Sequence, residues 1–137
     1  VVERFGKLDV LVNNAGMILR EDIVETTDDQ WRRIMAVNVD AVFFMSRESL
    51  RHMRTRRSGS IVNLSSTCGL VGCKGLTAYC TTKGALIQMT QSMALDCAAD
   101  GVRVNAVCPG AVDTPMLFSA HKQTPSRGEM EAIQAQT

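Results

Sequence analysis

The sequence predicts an α/β fold built on a parallel sheet, and three observations carry that prediction. Short apolar runs alternate with long amphipathic stretches, the joins between them are brief, and each apolar run ends in glycine, proline or small polar residues.

Leu8-Asp9-Val10-Leu11-Val12 is the first run, and it stops at Asn13-Asn14-Ala15-Gly16 as a buried parallel strand stops in a glycine turn. From Asp28 the apolar residues Trp31, Ile34, Met35, Val42, Met45 and Leu50 recur at three- and four-residue steps. That spacing predicts one long helix reaching about Arg57, capped by Thr27 or Asp28. Ser60-Ile61-Val62-Asn63-Leu64-Ser65-Ser66 reads as a second strand, and the glycines at 69, 72 and 75 mark a flexible loop after it. A second helix is expected from roughly Thr77 to Ala99, with Ala85, Leu86, Met89, Met93, Ala94 and Cys97 on its buried face and Gly101 just past its end. Val102 to Cys108 forms a third strand closed by Pro109-Gly110. Parallel strands of this kind bury both faces. After Met116 the chain turns polar, with a loop over Gln123 to Gly128 and a short helix from Glu129.

The 137 residues, 45% apolar and 21% charged, suffice for one domain with a modest core. A net charge of +1 supplies no field to gather nucleic acid or an anionic membrane. No stretch approaches the roughly eighteen uninterrupted apolar residues of a membrane span, and Val1-Val2-Glu3-Arg4 has no signal-peptide pattern, so a cytoplasmic location is expected. An opening without Met that reads like mid-helix suggests a piece of a longer chain. The five cysteines, Cys68, Cys73, Cys80, Cys97 and Cys108, contain no C-x-x-C pair and no histidines at zinc spacing, so they are expected to be reduced, mostly buried side chains with no metal. Arg51, Arg54, Arg56 and Arg57 lack aromatic companions and are read as cations at a helix C-terminus.

In an open parallel sheet, ligands lie beyond the carboxyl ends of the strands, so Asn13 to Gly16, Ser65-Ser66 and Pro109-Gly110 are expected to line one crevice. Tyr79 and Lys83, at i and i+4, share a face of the second helix. A phenol beside a fixed cation loses its proton more readily, which makes Tyr79 a candidate acid and base. Ser66 would hold the same reacting oxygen, with Ser65 as the competing hydroxyl. Asn38, an amide inside an apolar stripe, needs partners: a water linked to Lys83, or a neighbouring backbone group. Gly69-Leu70-Val71-Gly72-Cys73-Lys74-Gly75 fits neither phosphate-loop pattern in glycine spacing.

Asn13-Asn14-Ala15-Gly16, Val37-Asn38-Val39, Ser66 thirteen residues before Tyr79, Tyr79-Cys80-Thr81-Thr82-Lys83 and Pro109-Gly110-Ala111-Val112-Asp113-Thr114 together resemble the short-chain dehydrogenase/reductases over residues 1 to about 118. The resemblance implies a partial Rossmann-like doubly wound sheet, three strands and two long helices of it, in one incomplete NAD(P)-binding domain with its core at 7–118 and a loop and short helix at 119–137. It implies NAD or NADP as cofactor, a small alcohol or carbonyl substrate, Tyr79 as acid and base, and Lys83 tuning it and binding the nicotinamide ribose, with Ser66 and Asn38 completing the catalytic set. Asn14, Ala15 and Gly16 would lie along the cofactor, Pro109 and Gly110 near the nicotinamide ring, and Val112 and Thr114 at its carboxamide. Substrate would lie near Cys68, Cys73 and the segment after Thr114. The complete enzyme would be a homodimer or homotetramer through its two long helices, with no nucleic-acid or membrane partner. The family's first Gly-rich turn over the pyrophosphate has no counterpart in this sequence. That departure keeps a second expectation open: a non-catalytic α/β fragment or interaction module that does not bind the cofactor.

Overall fold

The computed structural model describes residues 1–118 and Gly128. Apart from Gly128, the loop expected from Gln123 and the helix expected from Glu129 lie outside the described residues. Helix α1 (Val2–Phe5) leads into strand β1 (Val10–Asn13). Helix α2 (Asp28–Met35), a π turn (Ala36–Asp40) and helix α3 (Ala41–Arg56) follow, then strand β2 (Gly59–Leu64) and a 3-10 turn (Thr67–Gly69). Helix α4 (Thr77–Cys97), a 3-10 turn (Ala98–Asp100), strand β3 (Val102–Val107) and the short α5 (Pro115–Phe118) complete the order. The strands pair in parallel as β1-β2-β3, the α/β arrangement that the alternating pattern predicts.

Leu11, Ile61 and Val104 stand side by side across the sheet. With Val102 they meet Met53 of α3 and Cys97 of α4, and Leu8, Leu50, Met93 and Ala94 pack around them. Fully burying a side chain such as Ile61 contributes about 1.5–3 kcal/mol. Helices α3 and α4 cover this face. The opposite face carries Val10, Val12 and Val107, which are 55%, 54% and 47% exposed. Two buried faces were the expectation; among the described residues only one is covered.

The first long helix is broken where a continuous one was expected. Thr27 starts it with a reciprocal cap: its hydroxyl accepts from the Gln30 amide at 3.2 Å, and its own amide donates to Gln30 Oε1 at 2.8 Å. Directly after α2 the backbone slips into the five-residue π turn, with the Ala41 amide reaching back to the Ala36 carbonyl. Its buried stripe is Ile34, Asn38, Val42, Ser46, Ser49 and Met53. Trp31 and Met45, expected inside, are 40% and 54% exposed.

The arginine cluster ties helix ends together. Arg54 pairs with Asp100 at 2.7 Å and donates to the Asp96 carbonyl at 3.0 Å, Arg57 donates to the Ala99 carbonyl at 2.8 Å, and Arg56 reaches Asp9 at 3.1 Å. Gly101, at φ +69°, lies so close to Arg57 that a Cβ would sit 2.5 Å from its carbonyl oxygen. A side chain has no room there, and the left-handed backbone suits glycine.

Candidate active site

The parallel register brings the carboxyl ends of the three strands together, and backbone bonds join the loops that leave them. The Ser65 amide donates to the Val107 carbonyl at 2.8 Å, and the Thr67 amide donates to the Pro109 carbonyl at 3.0 Å. One crevice edge is therefore built from the segments after β2 and β3.

Directly beneath runs a buried polar layer. Asn13 donates to Ser46 Oγ at 3.1 Å and to Asn63 Oδ1 at 2.8 Å; Asn63 donates to Thr90 Oγ1 at 2.8 Å, whose hydroxyl donates to the Leu86 carbonyl at 2.7 Å. This corrects the placement of Asn13 in the crevice: its side chain points to the helix-covered face and locks β1 to α3 and β2. Asn63 carries the same layer into α4. The signal in the sequence was an amide inside the apolar run Ile61 to Leu64, where only a satisfied polar group is tolerated.

Asn38, 1% exposed, projects from the π turn into the loop after β1. Its Oδ1 accepts from the Met17 amide at 2.8 Å, while Nδ2 donates to the Met17 carbonyl at 2.8 Å and to Thr82 Oγ1 at 3.0 Å. Both of the amide's donors are thus taken by protein groups, so the side chain ties down neighbouring backbone, one of the two roles expected of it. Gly16 sits against it: a Cβ there would lie 3.4 Å from Asn38 Oδ1 and 3.7 Å from Lys83 Nζ.

Helix α4 enters the site at close quarters. Ser65 Oγ donates to the Lys83 carbonyl at 2.6 Å, which commits that hydroxyl to holding the helix. Gly69 packs on the same turn, where a Cβ would come 2.7 Å from the Lys83 carbonyl carbon and 2.9 Å from Ser65 Oγ. Glycine is therefore required at 69 for close approach, not for the flexibility expected of that loop; Gly72 and Gly75 have open space around them.

Tyr79 and Ser66 are both buried, at 8% exposed each, and the Ser66 hydroxyl lies beside the Tyr79 phenol, where it favours the ionised form. Ser66 Oγ also accepts from the Cys68 amide at 3.1 Å, which caps the 3-10 turn and fixes the rotamer. Burial pushes the Tyr79 hydroxyl above its ordinary value near 10, and the neighbouring Ser66 hydroxyl pulls it partly back. A lowered value was expected from Lys83. The reason it does not appear is geometric: Lys83 Nζ lies 5.6 Å from the centre of the Tyr79 ring and donates to the Leu64 carbonyl at 2.7 Å. Burial in turn holds the Lys83 ammonium below its ordinary 10.5. Leu64 is the only acceptor it meets among the described residues, so two donors of a nearly buried ammonium remain without a protein partner there.

Of the other candidate positions, Asn14, Ala15, Gly110, Val112 and Thr114 are exposed and Pro109 is half-buried. Spacing in the sequence does not reveal that Cys68, Cys73 and Cys80 converge beside Tyr79, with their sulfur atoms within 4.8 Å of one another. Burial and the neighbouring Cys68 and Cys80 push the Cys73 thiol up to about 12.

The sequence profile of the short chain dehydrogenases matches residues 1–125. The chain belongs to that family. It is 47% identical over 116 residues to the meso-2,3-butanediol dehydrogenase of Serratia marcescens, a match covering 85% of this chain and 46% of that one. Two solved family structures superpose closely: ElxO with NADP bound, at a TM-score of 0.81 and 38% identity over 85% of this chain and 47% of that one, and NAD+-bound xylitol dehydrogenase, at 0.77 and 39% over 80% and 42%. The chain spans about half the length of the short-chain dehydrogenases it matches. The α/β sheet described above is thus the Rossmann-type fold of this family.

Proposed function

We propose that the chain carries the catalytic part of an NAD(P)-dependent oxidoreductase that interconverts a secondary alcohol and a ketone, with Tyr79 as acid and base at the substrate oxygen. The observation that carries this reading is the buried Tyr79 phenol beside the buried Ser66 hydroxyl, one helical turn from a buried lysine with spare donors.

In reduction, Tyr79 gives its proton to the carbonyl oxygen while Ser66 donates a hydrogen bond to the same atom. In oxidation the proton moves the other way, from the alcohol to a tyrosinate. A phenol held above its ordinary value stays protonated through neutral pH, the state that reduction needs. Asn38 acts as a positioning residue: by holding Met17 on both its amide and carbonyl, it keeps Gly16 against Lys83.

The residues fit a dinucleotide at its nicotinamide end. The two unspent Lys83 donors suit the diol of a ribose, and the absence of a side chain at Gly16 leaves room beside them. Asn14, Ala15 and Gly16 would follow the cofactor, with Pro109, Gly110, Val112 and Thr114 at the nicotinamide end. NAD or NADP supplies or accepts the hydride when bound. The relatives named as a meso-2,3-butanediol dehydrogenase and an (R)-specific alcohol dehydrogenase support an alcohol or its ketone as substrate. The exposed Phe43, Phe44 and Met45 of α3, at 47%, 51% and 54%, suit burial against a second subunit in a dimer or tetramer. No described helix is long and apolar enough to cross a membrane.

The direct test is nicotinamide absorbance with a panel of secondary alcohols including 2,3-butanediol, on this chain and on one extended through the flanking coding sequence. Turnover in the extended protein is expected. Absence of both turnover and cofactor binding from the two proteins would leave the non-catalytic interaction module as the better account.

A further inference from the structure

Cys68, Cys73 and Cys80 come from three different pieces of backbone: the 3-10 turn, the loop beyond it and the first turn of α4. The loop folds back so that their sulfur atoms all lie within 4.8 Å of one another, with Cys73 Sγ 3.0 Å from Cys68 Sγ. All three are partly exposed and pack on the apolar group formed by Ile34, Leu76, Ala78 and Tyr79. An ion entering from the crevice can therefore reach them. None of the three is needed by the proton chemistry proposed for Tyr79 and Ser66.

A metal–sulfur bond of about 2.3 Å sets its sulfurs about 3.8 Å apart in a tetrahedral arrangement and about 4.0 Å apart in a trigonal one. Three sulfurs already within 4.8 Å reach either arrangement by small side-chain rotations. A disulfide would engage two of them and leave the third idle, whereas a single thiophilic ion uses all three. Thiolates select soft or borderline d10 ions over magnesium or calcium.

We propose that Cys68, Cys73 and Cys80 form a three-thiolate site for a thiophilic d10 cation of the Zn2+ class on the wall of the crevice. Binding forms three metal–sulfur bonds, breaks three S–H bonds and releases three protons, with no change of oxidation state. Water completes a tetrahedral shell from the exposed side. Cys68 lies two residues after Ser66 and Cys80 directly follows Tyr79, so a bound ion would stand next to the substrate oxygen's place and obstruct or reshape it. The binding itself does not depend on the oxidoreductase reading.

The test is a titration of reduced, metal-free protein in a non-thiol reductant, with Co2+ as the spectroscopic probe and Zn2+ as the competitor. One equivalent of Co2+ should give a sulfur-to-cobalt charge-transfer band in the near ultraviolet, and one equivalent of Zn2+ should remove it. Peptide mapping after alkylation should show Zn2+ protecting Cys68, Cys73 and Cys80 while Cys108, outside the cluster, reacts as before. Cys73→Ser should weaken Co2+ binding more than about tenfold. No charge-transfer band, or equal alkylation of the three cysteines with and without Zn2+, would overturn the proposal. The alkylation pattern is read on the unaltered protein, so misfolding of the variant does not protect the idea.

Discussion

Replacing Asn38 by alanine removes both hydrogen bonds that hold Met17 and one that reaches Thr82. The Thr82 hydroxyl keeps its own bond to the Tyr79 carbonyl at 2.8 Å, so the loss falls mainly on Met17. Its amide and carbonyl are each left without their partner in a partly buried place, at about 1–3 kcal/mol per group. Allowing for some water entry, the expected loss is about 2–4 kcal/mol in total. Asn38→Asp keeps the volume and the acceptor for the Met17 amide but sets a carboxylate oxygen against the Met17 carbonyl. Only a protonated acid can donate there, so the folded state raises that carboxyl's pKa. Stability of this variant should therefore be recovered as pH falls below the folded value and be lost as pH rises. Equilibrium urea unfolding, followed by the fluorescence of Trp31, the single tryptophan, measures both effects. A loss under about 1 kcal/mol for alanine, with an aspartate variant insensitive to pH, would refute the claim that Asn38 pins the loop after β1.

Gly69→Ala places a Cβ 2.7 Å from backbone atoms of Lys83 that cannot yield; a loss of about 1–3 kcal/mol in urea unfolding and a marked fall in kcat are expected, and an unchanged kcat would contradict the close-approach reading. Lys83→Met removes a buried charge whose folded pKa lies below its ordinary 10.5. The ammonium opposes folding at neutral pH and this cost fades as pH rises toward that value, so the variant's thermal midpoint should match or exceed the parent's at pH 7 while nicotinamide cofactor affinity drops; a strongly lowered midpoint would contradict it. Because Tyr79 is held above 10, ketone reduction should be flat through neutral pH, and alcohol oxidation should climb about tenfold per pH unit on the acid side. Pre-steady-state rates in both directions check this, and an oxidation step flat between pH 6 and 9 would contradict it.

The alternation of strands and helices was legible because parallel strands and the helices that cover them carry different hydrophobic periods, and the strand ends carry turn residues. Burial within the first long helix was not. Its outward face holds Phe43, Phe44 and Met45, while its inward face holds Asn38, Ser46 and Ser49. Asn38 and Ser46 are satisfied by distant partners, Met17 and Thr82 for the first and Asn13 for the second, and a local pattern cannot see a bond to a residue 33 positions away. The π turn escaped for a related reason: its sequence Ala36 to Asp40 continues a helical pattern, and the slip places Asn38 opposite Met17. Tyr79 and Lys83 could be placed on one helical face from spacing alone, yet their electrostatics could not, since these follow from burial and from the Leu64 carbonyl. The cysteine cluster depends on a loop folding back across Gly72 and Gly75, and no spacing rule anticipates it.

The central claim is that Tyr79 moves the proton at the substrate oxygen. Tyr79→Phe in the extended protein removes one hydroxyl and keeps the ring that packs with Ile34, Leu76 and Ala78. Turnover and NAD(P) affinity should be measured side by side, by nicotinamide absorbance and by equilibrium fluorescence. Turnover lost to background, with cofactor affinity within about threefold of the parent, is the predicted result. Retained turnover in Tyr79→Phe would contradict the account.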